Sequence, residues 1–120
     1  MIRIVFAASI AVLLAAPASA EDWDFVLVNN TGKPIKRVEI AVGGSNDWKA
    51  DTSDRELQRK VVTEPGGRVT VHFNKGPQCR HDLKATFADE TTAIWTRINV
   101  CDNAYVSVSF VNGVPVFKAN

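Results

Sequence analysis

Residues 79–101 read CRHDLKATFADETTAIWTRINVC, two strand-like runs joined by a polar turn and bounded by the only two cysteines of a 120-residue chain. The pattern predicts one disulfide-stapled hairpin with Asp89-Glu90-Thr91 as a three-residue loop. With that loop, opposed residues have indices summing to 180, so Ala88 faces Thr92 and Cys79 faces Cys101. Cysteines directly opposed on neighbouring strands are within bonding reach. The apolar faces favour a sum of 181, which sets Leu83, Ala85 and Phe87 against Ile98, Thr96 and Ile94. A β-bulge between Ile98 and Cys101 reconciles the two registers. With 21 residues between the cysteines, the staple adds about 3 kcal/mol. Two free thiols in redox or metal chemistry are the competing reading, and no C-x-x-C supports it.

A disulfide requires an oxidising compartment, and the start of the chain supplies the route to one. Residues 1–20, MIRIVFAASIAVLLAAPASA, carry one charge at Arg3, an apolar run through Ala16, Pro17 and then Ala18-Ser19-Ala20. This is the pattern of a secretory signal peptide cut after Ala20, and the run is short for a membrane span. Cleavage leaves a 100-residue mature chain with 13 basic and 13 acidic residues. A neutral chain with scattered charges gives no electrostatic case for nucleic acid, and no membrane insertion is expected once the signal is removed. The localisation that follows is periplasmic or secreted.

The mature chain, residues 21–120, reads as one domain. FVLVNN, from Phe25, is a continuous apolar run of the kind covered on both faces. Asn29 to Pro34 is turn chemistry, and residues 35–42 alternate, with Val38, Ile40 and Val42 on one face and Arg37 and Glu39 on the other. From Gly43 to Asp54 the periodicity disappears, although Ser53-Asp54-Arg55-Glu56 has capping-box spacing and predicts a short helical turn. Glu64-Pro65-Gly66-Gly67 is a tight turn before a strand with Val69, Val71 and Phe73 inward. After the stapled hairpin, Val106, Val108 and Phe110 share a face, and Asn112-Gly113 turns the chain into a last strand that Pro115 marks as an edge. The expected fold is all-β, a single-domain antiparallel β-sandwich of about seven short strands with one disulfide inside a hairpin.

Several rarer residues recur in a recognisable order: F-x-L-V-N-x-T-G from Phe25 to Gly32, a loop ending in Trp48, V-x-F from Val71 to Phe73, C-x-x-D-L-x-x-x-F-x-D from Cys79 to Asp89, and I-N-V-C from Ile98 to Cys101. This order resembles a family of small exported bacterial β-proteins without an assigned function, over nearly the whole mature chain. Some members carry the label argininosuccinate lyase. That enzyme is a large helical tetramer, and nothing in this sequence supports the label. The chain departs from the family pattern in having Asp89-Glu90 where Asp-Gly would tighten the turn. The resemblance implies export and a β-fold and supplies no chemistry.

Chemistry must therefore come from individual residues, and they are few. Of the two histidines, His72 falls on the polar side of its strand as a solvated residue, and His81 shares a face with Leu83 and reads as packing beside the disulfide. Ser107 and Ser109 sit on a strand face without a nucleophile motif. No phosphate-binding glycine loop leads from a strand into a helix. These absences predict a protein that is not an enzyme and uses no cofactor. Asn46, Asp47, Asp51 and Asp54, with Asp89 expected on a neighbouring loop, are weak candidates for a Ca²⁺ site, because that ion takes six to eight oxygens from flexible loops. Asp-rich loops form for turn reasons as well, so no metal is expected. Trp23 and Trp48, each near a carboxylate such as Asp47, are the candidate ligand-binding residues, since an indole face stacks on a sugar ring or a partner's apolar group. The alternative is that these indoles fold back to cap a small core. The reading that results is a non-catalytic binding or interaction module for an unknown protein or small ligand, acting through its loop end or a sheet edge. A calcium-dependent or small-ligand-sensing domain is the alternative.

Overall fold

The computed structural model describes residues 22–50 and 62–120. Among these, eight strands occur in chain order: β1 (Asp22–Asn30), β2 (Ile35–Val42), β3 (Lys49–Ala50), β4 (Arg68–Asn74), β5 (Arg80–Phe87), β6 (Thr92–Asn99), β7 (Tyr105–Val111) and β8 (Val114–Ala119). They form two four-stranded sheets, one ordered β4-β1-β7-β8 and the other β3-β2-β5-β6. All neighbours are antiparallel except β1 and β7, which run parallel. The all-β sandwich is the fold, with the two-residue β3 added inside a stretch expected to be irregular. The capping-box segment at Ser53 to Glu56 lies outside the described residues.

The core lies between the sheets and follows from alternation. Val71 and Phe73 of β4 and Val106 and Val108 of β7 are buried as their period-two pattern requires. In β2 a register shift between Ile35 and Arg37 makes room for Lys36, so that Ile35, Val38 and Ile40 all reach the core although Ile35 is out of phase. Val42, at the strand's end, is exposed. In β1 only one face is covered: Phe25 and Leu27 are buried, whereas Val26 and Val28 are half-exposed on the outer face. The residue completing the inward row is Asn29, fully buried. Its side-chain amide donates to the carbonyls of Lys33 (2.7 Å) and Thr63 (2.9 Å), and its Oδ1 accepts from the Thr31 N–H (3.1 Å) and hydroxyl (2.6 Å).

The stapled hairpin exists, with a register different from the expected one. The Phe87 N–H donates to the Thr91 carbonyl (2.8 Å) and the Glu90 N–H to the Phe87 carbonyl (2.9 Å), so the loop is Ala88-Asp89-Glu90. Asp89 sets it: its carboxylate accepts from the Thr91 N–H (3.1 Å) and hydroxyl and pairs with Lys33 (2.9 Å). The Thr91 hydrogen bonds, with the Lys33 ammonium second, hold that carboxyl well below the usual carboxylate range. Glu90 then closes the loop with φ 68°. From this start Leu83 faces Trp95 and Lys84 faces Ile94, leaving Ile94 exposed, and the expected pairs Leu83–Ile98 and Phe87–Ile94 do not form.

A bulge does occur, but earlier in β6 than expected. Thr96 and Arg97 together oppose Asp82, and Arg97 takes φ 59°. The buried Asp82 carboxylate makes this possible, because one oxygen accepts from the Arg97 N–H (3.0 Å) and the other from the Gly44 N–H (2.9 Å). Beyond the bulge the Val100 N–H donates to the Cys79 carbonyl (2.9 Å), so Val100 is the ladder neighbour of Cys79. Cys101 follows in a turn made by Asn99, whose Oδ1 accepts from the Cys101 N–H (3.0 Å). There it bonds to Cys79 across a Cα–Cα distance of 5.2 Å. Such a bond belongs to an oxidising, extracellular-type environment. No helix among the described residues is long and apolar enough to cross a membrane.

Candidate functional site

The two sheets meet differently on their two sides. On one side β6 and β8 are the outer strands, and Trp95 of β6 crosses to donate its indole N–H to the Val116 carbonyl of β8 at 2.9 Å. On the other side the outer strands are β3 and β4, and between them lies a cleft of about 170 Å³. Its walls are Ile40, Val42 and Phe73, its rim carries Ser45, Asp47 and Lys49, and His81 lines it from β5.

His81 backs the cleft. It is 1 % exposed, packs edge-on against Phe73 (ring centroids 5.1 Å apart), and both its ring nitrogens are closed to solvent beside the backbone of Cys79 and Lys75. Burial pushes its pKa below the ordinary 6.5 and outweighs the backbone of Cys79 and Lys75 and the Asp82 charge, which favour protonation; the Lys75 charge adds to the lowering. His81 is thus held toward its neutral form in the fold, with both nitrogens closed to a ligand in the cleft. The sequence placed it on the core face as packing beside the disulfide, and it is buried there.

The sign of the resulting pH dependence is fixed. Above the ordinary value of 6.5 His81 is neutral in both states and has no effect on stability through its charge. As pH falls below it, the unfolded chain takes up a proton that the folded chain refuses, and stability is lost until the folded group also titrates. Urea unfolding at pH 7.5 and 5.0 should show a drop that His81→Phe diminishes. An undiminished drop would assign it elsewhere.

The residues singled out in the sequence are not gathered in one place. Asp47 lines the cleft rim, 3.9 Å from Lys49, with its N–H donating to the Ser45 hydroxyl at 3.2 Å. Trp23 lies beside the disulfide: its indole N–H donates to the Val100 carbonyl (2.7 Å) and the Lys75 ammonium stands 4.9 Å above its ring, 3.5 Å from Cys101 Sγ. Trp48 is half-buried on the outer face of the second sheet, with Lys84 5.2 Å over its ring. Neither indole face is turned toward the cleft. His72 pairs with Asp24 on the outer face of the first sheet, 3.6 Å apart.

Asp51 and Asp54 lie outside the described residues. Asp89 is not a neighbour of Asp47, because it caps the β5–β6 loop beside Ile35 whereas the Ser45-Asp47 loop follows Val42 at the other end of β2. Among the described residues no three His, Cys, Asp or Glu side chains are placed to hold a metal ion.

The exposed sheet edge that could also receive a partner is β8, which shows Val114 and Val116 to solvent. Pro115 takes one N–H from that edge and Lys118 charges it, two devices that keep an edge strand from pairing. What the fold and the cleft define together is a disulfide-stapled β-sandwich with a histidine-floored cleft between two edge strands. No protein-family model matches the chain, and no curated protein matches it in sequence.

Proposed function

We propose that this chain is a periplasmic or secreted, non-catalytic binding module that holds a small polar ligand in the cleft between β3 and β4, and that it belongs with the small exported bacterial β-proteins whose motifs it resembles. The observation that carries the reading is the cleft itself, about 170 Å³ with apolar walls at Ile40, Val42 and Phe73 and the polar side chains of Ser45, Asp47 and Lys49 at its rim. The disulfide and the leader-like residues 1–20 support export.

The test compares wild type with Asp47→Ala, which alters the cleft's exposed rim. The variant is expected to melt at the same temperature. Small polar compounds from a fragment panel are expected to raise the melting temperature of wild type and not of the variant. Compounds that stabilise both equally, or whose NMR shifts map to Val114 and Val116, would move the binding surface away from the cleft.

A further inference from the structure

Lys75 is a cation held at the disulfide. It follows β4, is half-buried, and donates from its ammonium to Cys101 Sγ at 3.5 Å while standing 4.9 Å above the ring of Trp23. Trp23 is itself fixed, because its indole N–H donates to the Val100 carbonyl at 2.7 Å. Among the described residues no Asp or Glu pairs with Lys75. Asp102, next to Cys101 in sequence, accepts instead from Asn99 Nδ2 at 3.0 Å. A sulfur atom is only a weak acceptor. The ammonium is therefore placed at the disulfide without an anion to match it.

Its placement is one-sided, and that decides the chemistry. In thiol–disulfide exchange a thiolate attacks one sulfur and the other leaves as a thiolate, and it leaves faster when that charge is stabilised. The ammonium lies on Cys101, which makes Cys101 the leaving sulfur and Cys79 the one attacked. Cys79 is part-exposed, with the exposed Gln78 and Arg80 on either side of it.

We propose that the Cys79–Cys101 bond is a site of reversible thiol exchange, at which a low-molecular-weight thiol of the cysteine or glutathione class becomes attached to Cys79 while Lys75 holds Cys101 as the thiolate. The thiol gives its proton to solvent, its sulfur bonds to Cys79 Sγ, and the electron pair of the broken S–S bond goes to Cys101 Sγ. Return attack by Cys101 expels the small thiolate and restores the bond. A second thiol attacking the attached one expels Cys79 instead, so that two thiols are oxidised to one disulfide and the protein disulfide takes their two electrons.

Wild type incubated with glutathione and quenched early with N-ethylmaleimide is expected to carry glutathione on Cys79 and the maleimide on Cys101, read by peptide mapping under non-reducing conditions. The rate should rise in proportion to glutathione. Lys75→Met is expected to slow the reaction roughly three- to tenfold, and Lys75→Arg, which keeps the charge, to retain most of the rate. Lys84→Met removes the same charge from beside Trp48 and should react as wild type does. Urea unfolding of each variant separates a change of stability from a change of chemistry. Glutathione on Cys101, or on both cysteines equally, would overturn the proposal, and so would Lys75→Met reacting at the wild-type rate. A wild-type rate independent of glutathione would overturn it as well, because the bond would then be reached only by unfolding. The position of the glutathione is read on wild type, so it decides the matter even where Lys75→Met fails to fold.

Discussion

Trp95→Ala should lower the unfolding free energy by about 3–5 kcal/mol, the largest effect expected of any single side chain in this domain. Trp95 is the largest fully buried residue, 1 % exposed, and packs its ring 5.8 Å from that of Phe110. Its indole N–H reaches the Val116 carbonyl at 2.9 Å and the Ser109 carbonyl at 3.3 Å. These belong to β7 and β8 of the first sheet, while Trp95 belongs to β6 of the second. Truncation therefore opens a cavity and removes a direct tie between the sheets on that side. A small domain has about 5–15 kcal/mol in all, so the variant should be marginal at 37 °C. Trp95→Phe keeps most of the ring and loses the N–H, and should cost about 1–2 kcal/mol. Urea unfolding followed by far-UV circular dichroism measures both. An alanine variant within 1 kcal/mol of wild type would mean that the sheets are held together elsewhere.

Trp95 also marks the boundary between what the sequence made legible and what it did not. Its burial was not readable from alternation, which set Ile94, Thr96 and Ile98 on the inward face, whereas that of Val71, Phe73, Val106 and Val108 was, because a period of two assigns faces without knowledge of partners. The Asn112-Gly113 turn was equally readable, and both residues take positive φ, 52° and 76°, as the tight hairpin demands. The disulfide followed from two cysteines and a compartment. Its register did not, because that is set by side chains acting on distant backbone. Asp82 reaches Gly44 and Arg97, 38 and 15 residues away in sequence, and the bulge exists where that carboxylate can satisfy both N–H groups. Apolar pairing placed the bulge near Cys101 because it weighed packing alone.

The candidate site divides in the same way. Asp47 was legible as an exposed carboxylate on a loop, and it lines the cleft. Trp23 and Trp48 were singled out for their size, but each indole is covered by a lysine, Lys75 and Lys84, that comes from a different strand or turn. Which cation meets which ring depends on the sheet order β4-β1 and β2-β5, and no local pattern carries that. Neither does one carry the parallel pairing of β1 with β7, since strands far apart in the chain choose partners by sharing a core.

Asn29→Ala should cost about 3 kcal/mol although it removes only one polar side chain. The Asn29 amide is fully buried and makes four hydrogen bonds that join β1 to the Thr31-Lys33 turn and to Thr63. Alanine leaves the Thr31 N–H without its side-chain partner and the Lys33 carbonyl with the Thr31 hydroxyl at 3.1 Å, in a turn that is part-buried. Its neighbours compensate in part, since the Thr63 carbonyl also accepts from the Ile35 N–H at 2.9 Å. Asn29→Asp separates this hydrogen-bond account from simple loss of volume. It conserves shape and the accepting oxygen, but turns a donor into a charged oxygen facing two carbonyls 2.7 and 2.9 Å from the present nitrogen. Such a carboxyl titrates above its ordinary value of about 3.9 in the fold, because burial and the facing carbonyls both disfavour the charge. A group whose folded pKa is raised contributes stability below the unfolded value and loses it as pH rises through the folded one. The aspartate variant should therefore lie closest to wild type near pH 4, where its protonated oxygen donates to one carbonyl, and fall progressively behind it toward pH 7. Alanine should show a deficit that does not change with pH, so the difference between the two urea profiles reads the donor role of Asn29 directly. Parallel profiles for alanine and aspartate across that range would assign the cost to packing alone.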